Sequence, residues 1–320
     1  MILSRSGLVL TNNHVIDGAT SVVARLVDSG KRYQARVIGY DATDDVALLQ
    51  LQGASGLTAV NFGNSAQVSL GTAVLALGNA QGRGGVTPAP GIINALNRSI
   101  QASDQESGTT EYLYHMLQTN AAIQQGDSGG ALANNAGQVI GMITAADTPS
   151  PGSLGSTIGY AIPVNSALAI ANQIATRRAS STVYIGVPGF LGVEVAGQSN
   201  SPNPNQQAAG ENGQGNGGAR GGNASACLVG GQVPAVPSRI APVNTGALIL
   251  GILCGTAAQA QGLAPGDVIT SVNGAAVTTP DSLTSITARY HPGAVVSVGW
   301  VGVGGARHAT SVTLGNGPAR

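Results

Sequence analysis

Residues 124–134 read QQGDSGGALAN: a serine, Ser128, set among glycines, with an aspartate before it and a short apolar run behind it. Two readings are open at this point. Glycines crowd a nucleophilic serine because the backbone there must come close to a substrate carbonyl, where a Cβ would block the approach or forbid the dihedrals. They also crowd turns whose serine is only a hydroxyl, and 48 of the 320 residues are glycine. The choice depends on whether the chain supplies a base for the serine and an acid to orient that base.

Four histidines are available: His14, His115, His291 and His308. His14 stands in TNNHVI, at the end of a strand entering a short turn, the kind of position that carries the general base in double-barrel serine proteases. An acid follows in YDATDDVALLQL. Asp45 directly precedes the buried-strand pattern VALLQL, so it sits at a strand mouth and can face a cleft, whereas Asp41 and Asp44 read as turn residues. The chain order His14, Asp45, Ser128 is the chymotrypsin order. GDSGG also satisfies G-x-S-x-G, the nucleophile elbow of α/β-hydrolases, but an elbow needs a helix after the serine and a triad histidine later in the chain. Here ALANNAGQVIGMI follows, which is strand, turn, strand, and His291 and His308 lie in another module. The elbow reading fails on context. His115, in the strand-like YLYHML, is expected to be a satisfied, partly buried histidine and not a base.

The surrounding chain reads as short strands. LVLTNNHVI, SVVARLV, YQARVIGY, VALLQL, TAVLALGN and QVIGMITAA are apolar, β-branched or alternating, and DSGK, DATDD and NNAG separate them as turns. The first helical periodicity comes in PVNSALAIANQIATRRA, 163–179, where apolar positions 164, 168, 170, 171 and 174 share one face. Strands at this spacing, closed by a single helix, predict barrels or a sandwich. Residues 197–226 are Gly, Asn, Gln, Ser and Pro with almost nothing to bury, and are expected to be disordered. Order resumes near GALILGI and continues through GLAPGDVITSVNGAAV, a helical DSLTSITARY and the paired strands AVVSVGWVG and HATSVTLG. That is a small α/β module with a long soft insertion.

Charge is low and balanced, 14 basic against 14 acidic residues, so no basic stripe supports a nucleic-acid or anionic-membrane role. The longest apolar run, GALILGILCGTAA at 246–258, is too short to span a bilayer. Met1–Arg5 has neither the basic nor the apolar region of a signal peptide. Cys227 and Cys254 show no CxxC or Cys/His metal spacing. They are two small hydrophobes or, outside the cytoplasm, a disulfide. Their place at two boundaries of one module, with no other cysteine to compete, predicts the bond.

Taken in order, these segments resemble the HtrA/Deg family of serine proteases. TNNHVI, DDVALLQL, TAVLALGN, AAIQQGDSGGAL, QVIGMIT and IGYAIPVN resemble the protease domain; FLGVEV, GLAPGDVITSVNG and DSLTSI resemble a PDZ domain. The resemblance implies a mostly β protein: a chymotrypsin-like double β-barrel protease domain over 1–179, then a small α/β PDZ domain over 180–316 that holds the insertion. It implies Ser128 as nucleophile, His14 as base and Asp45 as the acid orienting it, with the amides of Gly126 and Ser128 as oxyanion hole. Ala122, Ile123 and Ile143 are expected at the substrate pocket. The position whose acid selects Arg or Lys in trypsin is Ala122 here, which points to small or medium aliphatic side chains. In the second module the amides of Leu191, Gly192 and Val193 would receive a peptide C-terminus as an added strand, with Leu191, Val193 and Ile286 around its last side chain. No metal or cofactor is implied.

The implied partners are unfolded proteins and peptide C-termini, with no nucleic acid and no membrane span in this chain. A homotrimer and an extracytoplasmic location come from the family alone. The contrasting expectation is a PDZ scaffold carrying a vestigial protease domain. Two departures stand out. The family usually has Asn before the serine where this chain has Asp127, the trypsin residue, yet no zymogen cleavage site supplies an amino terminus to pair with it. The protease domain is also expected to lack its first strand: Met1–Leu3 and Leu8–Thr11 make one hairpin around the Ser4–Gly7 turn, whereas relatives carry a further strand and usually an export signal or anchor upstream. On that expectation the chain as written would be weakly active or poorly soluble.

Overall fold

A computed structural model describes residues 1–19, 21–79, 85–103, 110–147, 158–196, 227–228 and 236–318. The segment 197–226, expected to be disordered, lies outside the described residues. The chain divides into two compact units, Met1–Val187 with the last residues 318–320, and Pro188–Gly317. The division falls after 179 because Val183–Ile185 is still a strand of the first unit.

That unit contains two β-structures. The first is a five-stranded antiparallel sheet of β1 (Leu8–Thr11), β2 (Val22–Arg25), β3 (Arg32–Asp41), β4 (Val46–Leu51) and, from much later in the chain, the strand Val183–Ile185. Its order is β1, β4, β3 and then that late strand, with β2 added on β3. The second is a closed six-stranded barrel of β5 (Ala73–Gly78), β6 (Thr87–Ser103), β7 (Thr110–Thr119), β8 (Ala131–Asn134), β9 (Val139–Asp147) and β10 (Ile158–Pro163). The late strand is therefore β11. Helix α1, Val164–Ala175, follows β10 directly and starts from Pro163, whose missing N–H costs nothing at a helix end.

The sequence pattern accounts for these placements. VALLQL has no alternation because β4 lies between β1 and β3 and is covered on both faces, so five of its six residues are buried. One apolar cluster then joins the two β-structures: Leu10, Val46 and Leu48 from the sheet meet Met116, Met142 and Ile162 from the barrel, with Ala167, Ala171 and Ile174 of α1 between them. Each fully buried Leu or Ile there contributes about 2 kcal/mol. Gly39 permits the arrangement, since a Cβ on it would strike the Tyr184 carbonyl of β11 and come within 2.7 Å of Ile174 in α1.

The second unit is a separate α/β module. The sheet runs β13 (Val193–Val195), β14 (Ala247–Ile252), β15 (Val268–Val272), β17 (Val295–Val301), β18 (Arg307–Thr313), with β16 (Ala275–Ala276) on β15. β12 (Gly189–Phe190) pairs with β19 (Gly315–Asn316). Two short helices, α2 (Ala257–Ala260) and α3 (Pro280–Thr287), complete it. Thr279 and Ser282 close a reciprocal capping box at the start of α3, with Pro280 in the first turn. Cys227 is bonded to Cys254, and Leu228 beside it donates to Ile252 O while accepting from Cys254 N. No described helix is long and apolar enough to cross a membrane.

Candidate active site

His14 lies in the turn that follows β1, closed by bonds from Ile16 N and Asp17 N to Asn13 O. Asp45 is the last residue of the β3–β4 turn, and its backbone is left-handed at φ 52°. Aspartate tolerates that region better than most residues, but the conformation persists only where surrounding bonds fix it. Here they do. The Asp45 side chain is fully buried, and its Oδ1 accepts from the His14 amide at 3.0 Å. Both carboxylate oxygens lie within 3.0 Å of His14 Nδ1. With Nδ1 facing a carboxylate, the neutral ring carries its proton there and leaves Nε2 as the basic atom. His14 remains a quarter exposed.

Ser128 comes from the barrel, in the loop between β7 and β8. Asp127 N donates to Gln124 O, Gln124 N to Asp127 Oδ2 at 2.9 Å, and Gly130 N to Asp127 O. The loop is thus folded on Asp127. Glycine is required around it: Gly126 is left-handed at φ 93°, and Gly129 (φ 77°) has no room for a Cβ beside Thr11. Neither the Gly126 nor the Ser128 amide has a backbone acceptor among the described residues. The Ser128 hydroxyl donates to Thr144 O at 3.1 Å, so passing its proton to His14 requires the hydroxyl hydrogen to turn away from that carbonyl.

Two buried polar residues that the sequence reading did not single out tie these pieces together. Thr144, at the end of QVIGMIT, donates its hydroxyl to Asp45 Oδ2. Asn12, in TNNHVI, donates to Asp45 O at 3.0 Å and accepts from Gly129 N at 2.5 Å. The available signal was a carboxamide and a hydroxyl inside otherwise apolar strand ends, since a polar group buried there needs a partner.

The remaining expected residues are placed as follows. Ile123 and Ile143 are fully packed in the barrel core, with Ile123 over Gly159, while Ala122 is exposed. Asp41 is a turn acceptor for the amides of Thr43 and Asp44, and Asp44 is exposed. Partial desolvation of the carboxyl and the neighbouring Asp41 raise Asp44 above its ordinary range, outweighing the lowering by His115. His115 is exposed, not partly buried as expected; it sits at a left-handed position (φ 59°) on a bulged strand and pairs with Asn97 at 3.0 Å. In the second unit Leu191 and Ile286 belong to one apolar cluster, with Val193 packed against it. The Leu191 carbonyl accepts from Ala258 N and the Gly192 carbonyl from Leu253 N. Planar trans peptides place N–H opposite C=O, so the amides of Gly192 and Val193 point away from those partners.

A histidine held by a buried carboxylate, linked through Thr144 and Asn12 to the loop of a glycine-bounded serine, is the arrangement expected of a trypsin-like peptidase domain. Residues 1–142 match the trypsin-like peptidase domain, and residues 180–298 match the PDZ domain. The two matched domains, in this order, together with the relatives below support an HtrA/Deg family protease. It is 42% identical over 174 residues to a probable periplasmic serine protease do/HhoA-like of Haemophilus influenzae, covering 54% of this chain and 35% of that protein. To the periplasmic pH-dependent serine endoprotease DegQ of Escherichia coli it is 33% identical over 300 residues, 93% of this chain and 55% of that protein. To the serine protease PepD of Mycobacterium tuberculosis the figures are 31%, 98% and 60%. The chain thus spans about one third to three fifths of the length of these curated relatives.

Proposed function

We propose that this chain is a serine endopeptidase that cleaves unfolded or damaged proteins through an acyl-enzyme, while its PDZ unit binds peptide C-termini. The observation that carries the reading is the buried Asp45–His14 pair tied to the serine through Thr144, which donates to Asp45 Oδ2 and accepts from the Ser128 hydroxyl. In this mechanism His14 Nε2 takes the Ser128 proton as Oγ attacks the scissile carbonyl, and returns it to the departing amine. Asp45 holds the ring in the required tautomer and stabilises the imidazolium. The amides of Gly126 and Ser128 receive the developing oxyanion, where one such donor is worth about 3 kcal/mol. Water then repeats the sequence on the acyl-enzyme.

The protease and PDZ units are taken as extending over about 1–187 and 188–317, a few residues beyond the 179/180 boundary expected from the sequence, because β11 still pairs with β3 of the first unit. None of Ala122, Ile123 and Ile143 carries a charge, which supports small or medium aliphatic side chains at the cleaved position. In the second unit, Leu191, Gly192, Val193 and Ile286 are assigned to the peptide C-terminus, supported by the Gly192 and Val193 amides pointing away from the partners of the Leu191 and Gly192 carbonyls. An extracytoplasmic location and a homotrimer are carried over from the family; the word periplasmic in two relatives' names supports the first.

A fluorophosphonate tests the reading. We expect one adduct, at Ser128, together with loss of hydrolysis of an unfolded protein. Full hydrolysis by Ser128→Ala would remove this serine from the chemistry, and native protein that takes no adduct and hydrolyses nothing would leave a PDZ scaffold with a vestigial protease domain.

A further inference from the structure

The carboxamide of Asn12 joins the two halves of the candidate site. His14 and Asp45 come from the five-stranded sheet and Ser128 from the barrel, so their separation depends on how the two β-structures are held at this point. Asn12 lies on the sheet side, directly after β1, and is fully buried. Its Nδ2 donates to the carbonyl of Asp45, the residue whose left-handed backbone aims the carboxylate at His14. Its Oδ1 accepts from the amide of Gly129, the residue after the serine, at 2.5 Å. The Gly129 amide also reaches Ile143 O at 2.9 Å, so the barrel end of the link is itself anchored on β9. One rigid, planar group thus fixes the peptide carrying the acid to the peptide following the nucleophile.

We propose that Asn12 is a positioning residue for proteolysis: it sets the separation of the His14–Asp45 pair from Ser128 without touching substrate. The proposal rests on the serine-peptidase reading above. The donor and acceptor roles are both used, so neither a hydrophobic residue nor an ionised acid of the same shape can replace it. Misplacement of a reacting group by about 1 Å costs on the order of a hundredfold in rate, and a loosened link between two sheets acts at that scale. Since substrate binding is untouched, the loss falls on kcat and not on KM.

The test uses the full chain, an unfolded protein and a fluorogenic peptide as substrates, and Asn12→Ala and Asn12→Asp as variants. For Asn12→Ala we expect kcat to fall about tenfold to a hundredfold, with KM within about twofold. Asn12→Asp has the same shape and keeps an oxygen for Gly129. While neutral it also keeps an O–H for the Asp45 carbonyl; once ionised it has no donor and faces that carbonyl with a charge. Its rate relative to the native protein is therefore expected to be highest at the acid end and to fall as the introduced carboxyl ionises, while the ratio for Asn12→Ala stays level with pH. A residue that only supports the fold would not produce that difference. If Asn12→Ala does not fold, the pH course of Asn12→Asp decides alone. Native turnover matched by both variants at every pH overturns the positioning role and leaves the peptidase reading intact. A native chain that neither turns over nor takes a fluorophosphonate overturns both.

Discussion

Thr144 donates its hydroxyl to the buried carboxylate of Asp45 from 99 positions further along the chain, and its carbonyl receives the hydroxyl of Ser128. One residue of β9 is thereby bonded to both the acid and the nucleophile. Thr144→Val keeps the shape and the carbonyl and removes the donor. A hydrogen bond to a charged, buried acceptor contributes about 1.5–3 kcal/mol, so stability should fall by about that amount. With less of its charge drawn off by the threonine, Asp45 should hold the imidazolium more strongly. The acid limb of the kcat/KM profile is then expected to move to higher pH, and a limb that stays in place would show that the hydroxyl does not act on the pair.

A peptide library should show preference for Val, Ala or Ile at the residue whose carbonyl is cleaved. Ala122, Ile123 and Ile143 carry no charge, so they offer a Lys or Arg side chain no partner. The ratio of kcat/KM for Val over Arg is expected to be on the order of a hundredfold. Preference for Arg would mean that another part of the chain supplies an acid there.

Asp127 is buried, and its Oδ1 has no hydrogen-bond partner among the described residues. Asp127→Asn can keep the bond from Gln124 N on its amide oxygen and replace the orphaned charged oxygen with a neutral group, whose burial costs less. A gain of about 1 kcal/mol should raise Tm by roughly 2–4 °C. A lower Tm in calorimetry would indicate that the native carboxylate is held by a charged partner.

Removing the Cys227–Cys254 bond by Cys227→Ser with Cys254→Ser should lower the stability of the second unit. Closing a loop over a separation of 27 residues contributes about 3 kcal/mol through the unfolded state. Urea unfolding of both forms measures the difference, and thiol titration of the non-reduced native protein should find no free thiol. Two titratable thiols would refute the bond.

Much of this was legible along the chain because it depends on neighbours. The run VALLQL shows a central strand, and the acid at its mouth follows from the turn before it. DSGG shows where backbone must come close to something else. What escaped depends on partners far apart in sequence. Nothing around Asn12 or Thr144 indicates that one reaches Gly129 and the other Asp45; only the meeting of sheet and barrel supplies those partners. β6 was obscured for a local reason: Pro88 and Pro90 argue against a strand, yet both pair with β5, opposite Leu77 and Leu75. β11 is three residues long, too short for a period, and becomes a strand because β3 offers it an edge.

β11 also has a mechanical consequence. It is the last element before Pro188, where the second unit begins, and it is fastened to β3 by Val183 on Asp41, Tyr184 on Tyr40 and Ile185 on Gly39. Gly186 N adds a bond to Ile38 O, the rings of Tyr40 and Tyr184 stack at 5.5 Å, and Thr182 grips the Asp41 carboxylate at 2.7 Å. A pull arriving along the chain from the second unit therefore meets this clasp first. The load is passed to β3 and spread through the five-stranded sheet, and α1, which lies upstream of the clasp, is outside the path of the force.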